Sequence, residues 1–172
     1  MAAAFQQRLS EAKQYSEDSI WWTIYKEYFP TMINMTNYNM FMGPHQFQGI
    51  DRSLDLNNGQ RITIEEKVRS KSNPHDFLLE YESISKSGKK TPGWIEKPLQ
   101  CDYICIHEKD SQNTYLFPFQ FLQLAWFKNK EKWLVEYKPI SIRGEFNACP
   151  VPKHVLFTAV YSGTVVNTSK RN

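Results

Sequence analysis

The sequence has few cysteines and histidines, and neither residue type is arranged as in a known metal site. Among the 172 residues the cysteines are Cys101, Cys105 and Cys149. An odd count with no CxxC pair argues against a disulfide framework and against a zinc site. Cys101 and Cys105 lie in an apolar run, so we expect them to be buried thiols. The four histidines are scattered without the spacing of metal ligands.

The sequence also lacks a long apolar run and a large excess of charge. No stretch of about 18 apolar residues is present to cross a membrane, and no signal peptide is recognisable. We therefore expect a soluble, cytoplasmic protein. A net charge of +3 permits nucleic acid binding but argues against a purely electrostatic binder. The length predicts one domain over residues 1–166, and we expect residues 167–172 to be a disordered tail.

The most informative stretch, residues 49–69, predicts a β-hairpin. Because alternate side chains of a strand share a face, residues 61–69 have one mostly apolar and one polar face. In the preceding run, Ile50, Arg52, Leu54 and Leu56 fall on one side, and Asp51, Ser53 and Asp55 fall on the other. The intervening Asn-Asn-Gly-Gln contains the Asn-Gly pair typical of tight turns. Folding about this turn brings the polar faces of both strands together.

This polar face brings Asp51 close to Glu65 and Lys67. Two carboxylates can bind Mg²⁺, which prefers oxygen ligands and retains several waters. A lysine beside them can orient a metal-bound water or stabilise developing negative charge. These residue types therefore favour phosphodiester hydrolysis. A charged hairpin face is also commonly just a solvated surface, and periodicity alone does not distinguish the two interpretations.

The segments around the hairpin predict an α/β fold with a central mixed sheet of four to five strands flanked by helices. Apolar residues recur at helical spacing within 19–29, and Pro30 ends that helix. Residues 31–46 are predicted to be a loop, and residues 77–84 the third strand of the sheet. A further strand is expected over 101–107 and another over 115–117. Pro118 should open a helix of about ten residues.

Asp51, followed after thirteen residues by Glu65-Glu66-Lys67, resembles the motif of the PD-(D/E)XK nuclease superfamily. The resemblance covers roughly residues 15–135. It implies a restriction-endonuclease-like α-β-β-β-α-β core, with the Asp and Glu as metal ligands and the Lys as the group that orients or deprotonates water. Ile50 stands where the motif has proline. Proline there is a backbone preference and not a ligand, so this departure weakens the resemblance more than the chemistry.

Several segments are, more narrowly, similar to uncharacterised phage and prophage members of that superfamily. They are Gln48-x-Ile50-Asp51-Arg52, Ile64–Arg69, Asp76–Tyr81 and Gly93-Trp94-Ile95. The resemblance implies a phage-encoded, Mg²⁺-dependent DNA nuclease, with Mn²⁺ as a substitute metal. Because cutting two strands requires two sites, it also brings a homodimer into consideration.

The resemblance also extends the set of candidate site residues. Asp51 and Glu65 are the expected metal ligands, with the Glu66 backbone carbonyl as a third. In the family an early-helix glutamate often joins the metal, and Glu17 is the candidate that we select. Phosphate contacts are expected from five basic residues: Arg52, Arg69, Lys71, Lys89 and Lys90.

The sequence is compatible with three alternatives. The first is a protein with a nuclease fold that no longer cuts and instead binds nucleic acid or a protein partner. The second is a structural or assembly module whose hairpin is merely charged. The third is a nuclease that acts on RNA, since no aromatic platform in the sequence decides between RNA and DNA.

Overall fold

The computed structural model describes residues 19–38, 48–70 and 73–163, which form three helices and nine strands. Backbone contacts group the chain into two compact units. The first comprises Met1–Ser72 and Leu99–Phe117, and the second comprises Asn73–Pro98 and Pro118–Asn172. The chain therefore leaves the first unit after Ser72, returns to it from Leu99 to Phe117, and then completes the second unit.

The first unit contains helix α1 (Ile20–Tyr28) and a five-stranded sheet in the order β1-β2-β3-β6-β7. These strands are β1 (Met32–Asn37), β2 (Arg52–Leu56), β3 (Arg61–Arg69), β6 (Tyr103–Glu108) and β7 (Asn113–Pro118). The β1–β2 and β2–β3 pairs are antiparallel, whereas β3 and β6 are parallel. The sheet is therefore mixed.

The core of this unit lies between α1 and one face of the sheet. Trp21 and Tyr25 stand one helical turn apart, and their rings stack with centroids 5.6 Å apart. They pack with fully buried residues from β1, β2, β3 and β6, which are Met32, Leu54, Ile64 and Cys105. A fully buried side chain of this size stabilises a fold by about 1.5–3 kcal/mol. The packing of these strand residues against Trp21 and Tyr25 therefore determines which side of α1 faces the sheet.

The second unit contains a four-stranded sheet in the order β5-β4-β9-β8 and two helices. Its strands are β4 (Asp76–Ile84), β5 (Lys90–Pro92), β8 (Ile140–Ile142) and β9 (Phe146–Pro152). All its pairings are antiparallel. The helices are α2 (Phe119–Glu136) and α3 (Lys153–Gly163).

The predicted α/β class and mixed sheet are confirmed, but two parts of the predicted topology are wrong. Residues 77–84 form a strand, yet it belongs to the second sheet, and β6 is the neighbour of β3. Residues 32–37, predicted as loop, form β1. Their asparagines disfavour a strand, but pairing along β2 supplies the hydrogen bonds that local propensity does not.

The helices differ from prediction in length and number. Helix α2 has 18 residues, longer than expected, and helix α3 was not predicted. No helix within the described ranges is both long and apolar enough to span a membrane. The single domain over residues 1–166 stays a prediction. The expected tail, 167–172, lies outside the described residues.

Candidate active site

The β2–β3 hairpin has the predicted register. Arg52 pairs with Ile64 and Ser53 with Thr63. Even-numbered residues of both strands therefore share one face of the hairpin, and odd-numbered residues share the other. Residues 57–60 form the connecting loop, where Leu56 N–H donates to the Gln60 carbonyl at 2.8 Å. Within this loop only Gly59 has a positive φ, of 82°. One glycine thus suffices for the turn, and the longer loop does not require the two positive φ angles of a two-residue turn.

A second glycine turn positions Asp51 directly before β2. Gly49 has a φ of 69°, and a Cβ built there would lie 2.6 Å from the Leu99 side chain. Both the conformation and the space therefore favour glycine. The Asp51 N–H donates to the Ile64 carbonyl at 2.8 Å, and Gln100 N–H donates to the Gln48 carbonyl at 2.8 Å. These bonds fix the segment before Asp51 within the first unit.

Asp51, Glu65 and Lys67 meet on the sheet face that points away from α1. Glu66 N–H donates to Asp51 Oδ2 at 2.6 Å. The Lys67 ammonium forms an ion pair with Glu65 Oε1, and the two side chains are 26% and 14% exposed. The structure therefore brings the three predicted catalytic residues together, Asp51 directly before β2 and Glu65 and Lys67 on β3, and the Glu65 and Lys67 side chains have partial access to solvent.

The electrostatics of this cluster show two carboxylates in close proximity. Burial and the negative charge of Glu65 raise the pKa of Asp51 to about 7, while the Glu66 N–H bond and Lys67 act in the opposite direction. A like charge disfavours the ionised form of its neighbour. Asp51 is consequently close to half protonated at neutral pH. A bound cation would remove this repulsion.

Glu66 lies on the opposite face and has different surroundings. Its Oε1 accepts hydrogen bonds from the Tyr25 hydroxyl at 2.8 Å and from Arg52 Nε at 2.5 Å. The Arg52 and Glu66 side chains are 2% and 3% exposed, and Arg52 stacks over the Trp21 ring at 5.4 Å. Burial raises the pKa of Glu66, whereas Arg52 and Tyr25 lower it. The Glu66 side chain is thus part of the core.

The backbone of Glu66 nevertheless faces Asp51. Ile64 and Glu66 both direct backbone groups toward the segment that contains Asp51. Because the N–H and C=O of one strand residue point to the same edge, the Glu66 carbonyl is directed there as well. This orientation matches its predicted role as a third ligand.

The remaining predicted residues are dispersed. The assignment of Arg52 to a phosphate contact is corrected, because its guanidinium is buried against Glu66 and Trp21. Arg69 ends β3 on the face of Glu65 and Lys67. Lys89 and Lys90 belong to the second unit, where both are exposed and Lys90 pairs with Glu82 at 3.0 Å. Glu17 and Lys71 lie outside the described residues.

Sequence reasoning missed two features near the site. The buried Arg52–Glu66 pair could have been predicted from the alternation of side chains. Both residues fall on the apolar faces of their strands, and a buried acid needs a partner. Glu108 was not considered. It is 1% exposed, stands beside Arg69 in the parallel β3–β6 register and accepts a hydrogen bond from Ser111 at 3.2 Å.

The cysteines agree with the expectation of buried thiols. All three are buried and unoxidised. Burial and the charge of Glu65 raise the pKa of Cys101 to about 12, so this thiol stays protonated at neutral pH. It is therefore a poor metal ligand, since the thiolate is the form that binds.

Comparison with known proteins adds no relative. No protein-family model, no curated protein and no solved structure matches this chain. Within the described ranges, no group of three or more His, Cys, Asp or Glu side chains is arranged to hold a metal ion. The candidate site is thus a pair of carboxylates with a lysine, and its interpretation depends on their geometry.

Proposed function

We propose that the first unit carries a Mg²⁺-dependent nuclease site that hydrolyses phosphodiester bonds in DNA. The observation that carries this proposal is the convergence of Asp51, Glu65 and Lys67 on one sheet face, where burial and the negative charge of Glu65 together raise the pKa of Asp51 to about 7. Mutual repulsion of two carboxylates costs stability unless something offsets it. Carboxylates whose pKa values are strongly shifted by burial and by a like charge occur preferentially at functional sites.

The donor set fits Mg²⁺ better than a softer metal. Asp51 and Glu65 would hold the ion through carboxylate oxygens, and the Glu66 carbonyl faces the same edge. Mg²⁺ is commonly bound by one or two carboxylates together with waters and substrate phosphate, so a third acid is not required. When bound, the metal would polarise the phosphate and supply a nucleophilic water at neutral pH.

Lys67 would act on the attacking water or on the charge that develops at the phosphate. Its ammonium contacts Glu65 and is 26% exposed, so it is both positioned and accessible. A donor directed at developing charge contributes about 3–4 kcal/mol in well-studied sites. Arg69, on the same strand face, is the remaining candidate in the described ranges of this unit for a phosphate contact.

The protonation of Asp51 gives the proposed activity a pH dependence. An acid with a pKa of about 7 is largely protonated at pH 6 and ionised at pH 8. Because the carboxylate is the form that binds metal, metal affinity should increase over this range. Saturating Mg²⁺ favours the ionised form and should shift the increase to lower pH.

The test is cleavage of plasmid DNA, single-stranded DNA and RNA with Mg²⁺ or Mn²⁺. We expect Asp51→Ala and Lys67→Ala each to reduce the rate by at least about 10²-fold. Asp55→Ala is the matched control, because Asp55 is an acid on the same hairpin face that pairs with exposed Arg61 at 2.8 Å. Cleavage that survives both site substitutions would overturn the proposal.

Metal titration separates a nuclease from a protein that only binds nucleic acid. Calorimetry with Mn²⁺ should give one binding event that Asp51→Asn abolishes and Asp55→Asn leaves intact. Metal binding without cleavage of any of the three substrates would favour the silent binding protein. A wild-type chain that binds no Mn²⁺ would reject the nuclease site.

A further inference from the structure

Helix α2 of the second unit is apolar on two opposite sides. Its buried side consists of Phe119, Leu122, Ala125, Trp126 and Trp133. Trp126 and Trp133 lie at the centre of this side, and their rings are 6.2 Å apart. Both are at most 2% exposed. The buried apolar contact of α2 with its own unit is therefore made by this side.

The opposite side carries a second stripe that its own unit does not bury. Phe121, Leu124 and Val135 are 39%, 48% and 81% exposed. Lys128 and Glu131, also exposed, complete the spacing of three and four residues typical of a coiled-coil seam. At about 100° per residue these five positions span about 80°. We call Phe121, Leu124, Lys128, Glu131 and Val135 the α2 seam.

A solvated surface helix does not normally have this composition. Such a helix has one apolar stripe toward its core and polar residues opposite. Clustered exposed apolar side chains indicate an interaction site more often than isolated ones do. Phe127, 55% exposed, lies beside the seam and widens it. The surface therefore has the composition of a helix–helix contact.

We propose that the α2 seam pairs antiparallel with the same seam of a second copy of this chain. Leu124 and Val135 are equidistant from the midpoint between Asn129 and Lys130, and so are Lys128 and Glu131. A two-fold axis at this midpoint places Leu124 opposite Val135 of the second copy. The same axis places Lys128 of each copy opposite Glu131 of the other, so the pair forms two ion pairs. The seam is thus complementary to itself, as a two-fold interface requires.

The charges also decide the orientation. A parallel, in-register pair would place Lys128 against Lys128 and Glu131 against Glu131, and like charges in contact are destabilising. Within residues 73–163 neither Lys128 nor Glu131 belongs to an ion pair, unlike Lys130, which contacts Glu96, and Lys132, which contacts Glu136. Both seam charges are therefore available to a partner.

The interface is small. An 18-residue helix is about 27 Å long, and one helix pair buries less than the roughly 800 Å² per partner of a standard interface. We therefore expect a reversible dimer whose population increases with protein concentration.

The first test is sedimentation velocity of the full chain over a concentration series. Wild type should sediment as a monomer–dimer equilibrium. Lys128→Glu and Glu131→Lys each create two repulsive contacts and should weaken dimerisation at least about tenfold. The double variant, Lys128→Glu with Glu131→Lys, restores both contacts and should dimerise again. All positions are exposed, so circular dichroism should show unchanged folding. A monomeric wild type, or single variants that dimerise normally, would overturn the proposal.

The second test establishes orientation by cross-linking. Leu124→Cys and Val135→Cys are prepared separately and oxidised alone or mixed. In the antiparallel pair only the mixture brings two introduced cysteines within disulfide range, a Cα separation of about 4.4–6.8 Å. The natural cysteines are buried and should not contribute. Lys132→Cys in place of Val135→Cys is the control. Equal cross-linking of each variant alone would indicate a parallel pair and reject the proposal.

Discussion

Two neighbouring glutamates on β3 have opposite surroundings. Glu66 is 3% exposed and has a buried cation, Arg52, and a hydroxyl donor, Tyr25, at hydrogen-bond distance. Glu65 is more exposed, shares its face with another acid, Asp51, and contacts the flexible cation Lys67. One sequence step therefore separates a compensated carboxylate inside a core from an accessible carboxylate beside a like charge.

A single strand can therefore contribute to the core with one face and to chemistry with the other. A buried charge is tolerated when a partner and further hydrogen bonds satisfy it. An accessible pair of like charges stabilises nothing by itself, and such local conflicts are expected at functional sites. The two faces of β3 should consequently respond differently to the same substitutions.

The largest expected effect is on stability. Glu66→Leu leaves Arg52 charged and buried without its carboxylate, which typically costs about 3–5 kcal/mol. Glu65→Leu, the matched control one residue away, removes an acid that repels Asp51 and should change stability by less than about 1 kcal/mol. Urea denaturation at pH 7 measures both. Equal losses would show that the two faces are equivalent.

The double variant Arg52→Met with Glu66→Leu refines this test. Replacing a whole buried ion pair by apolar groups is often neutral or stabilising. We expect most of the stability lost in Glu66→Leu to return. If the double variant is as unstable as the single one, the buried pair does more than compensate its own charges.

Removing the hydroxyl that supports Glu66 should have the next largest effect. Tyr25→Phe deletes the 2.8 Å bond to Glu66 Oε1 and keeps the ring stacked on Trp21. Hydrogen bonds to charged groups contribute about 1.5–3 kcal/mol. Tyr28→Phe is the control, since the hydroxyl of Tyr28 donates to the backbone carbonyl of Thr114 in an exposed bond. Chemical denaturation should separate them, and a control that loses more than Tyr25→Phe would contradict the expectation.

Asp51 should make the metal-free protein less stable as pH rises. Its folded pKa of about 7 is above the ordinary value of 3.8, so the folded state binds the proton more tightly than the unfolded state. Stability due to this group is present below pH 4 and is lost between about pH 4 and pH 7. Asp51→Asn keeps an acceptor for the Glu66 N–H and should stabilise the protein by about 1–3 kcal/mol at pH 8. Thermal unfolding with chelator, compared at pH 4 and pH 8, measures this change. A variant with an unaltered pH profile would contradict it.

Lys67→Met should have the smallest effect on stability. Lys67 is partly exposed, and such ion pairs contribute about 0–1 kcal/mol. The same variant should lose cleavage if the proposed function is correct. A denaturation curve close to wild type together with lost activity would separate the two roles of β3. A large loss of stability would instead assign Lys67 to the fold.

The sequence predicted local structure better than the assembly of the strands. Alternation and the Gly59 turn were enough for the β2–β3 hairpin, because its contacts are local. The neighbour of β3 was not predicted, because residues 77–84 and 103–108 are both apolar strands and alternation does not indicate the pairing. The convergence of Asp51, Glu65 and Lys67 followed from the hairpin alone. The second partner of Glu66, the hydroxyl of Tyr25, could not be predicted, because α1 is a distant segment that only tertiary packing brings near.

The route of the chain between the two units has a consequence for synthesis. Strand β4 is made before β6, yet its register with β9 joins Asp76 to Pro152, near the end of the described chain. Domains of this kind emerge from the ribosome N-terminus first. When β7 emerges and the first sheet has all its strands, β4 still lacks β9 and exposes an unpaired edge. The growing chain is therefore most exposed to aggregation midway through translation, and a chaperone acting at that stage would protect it most.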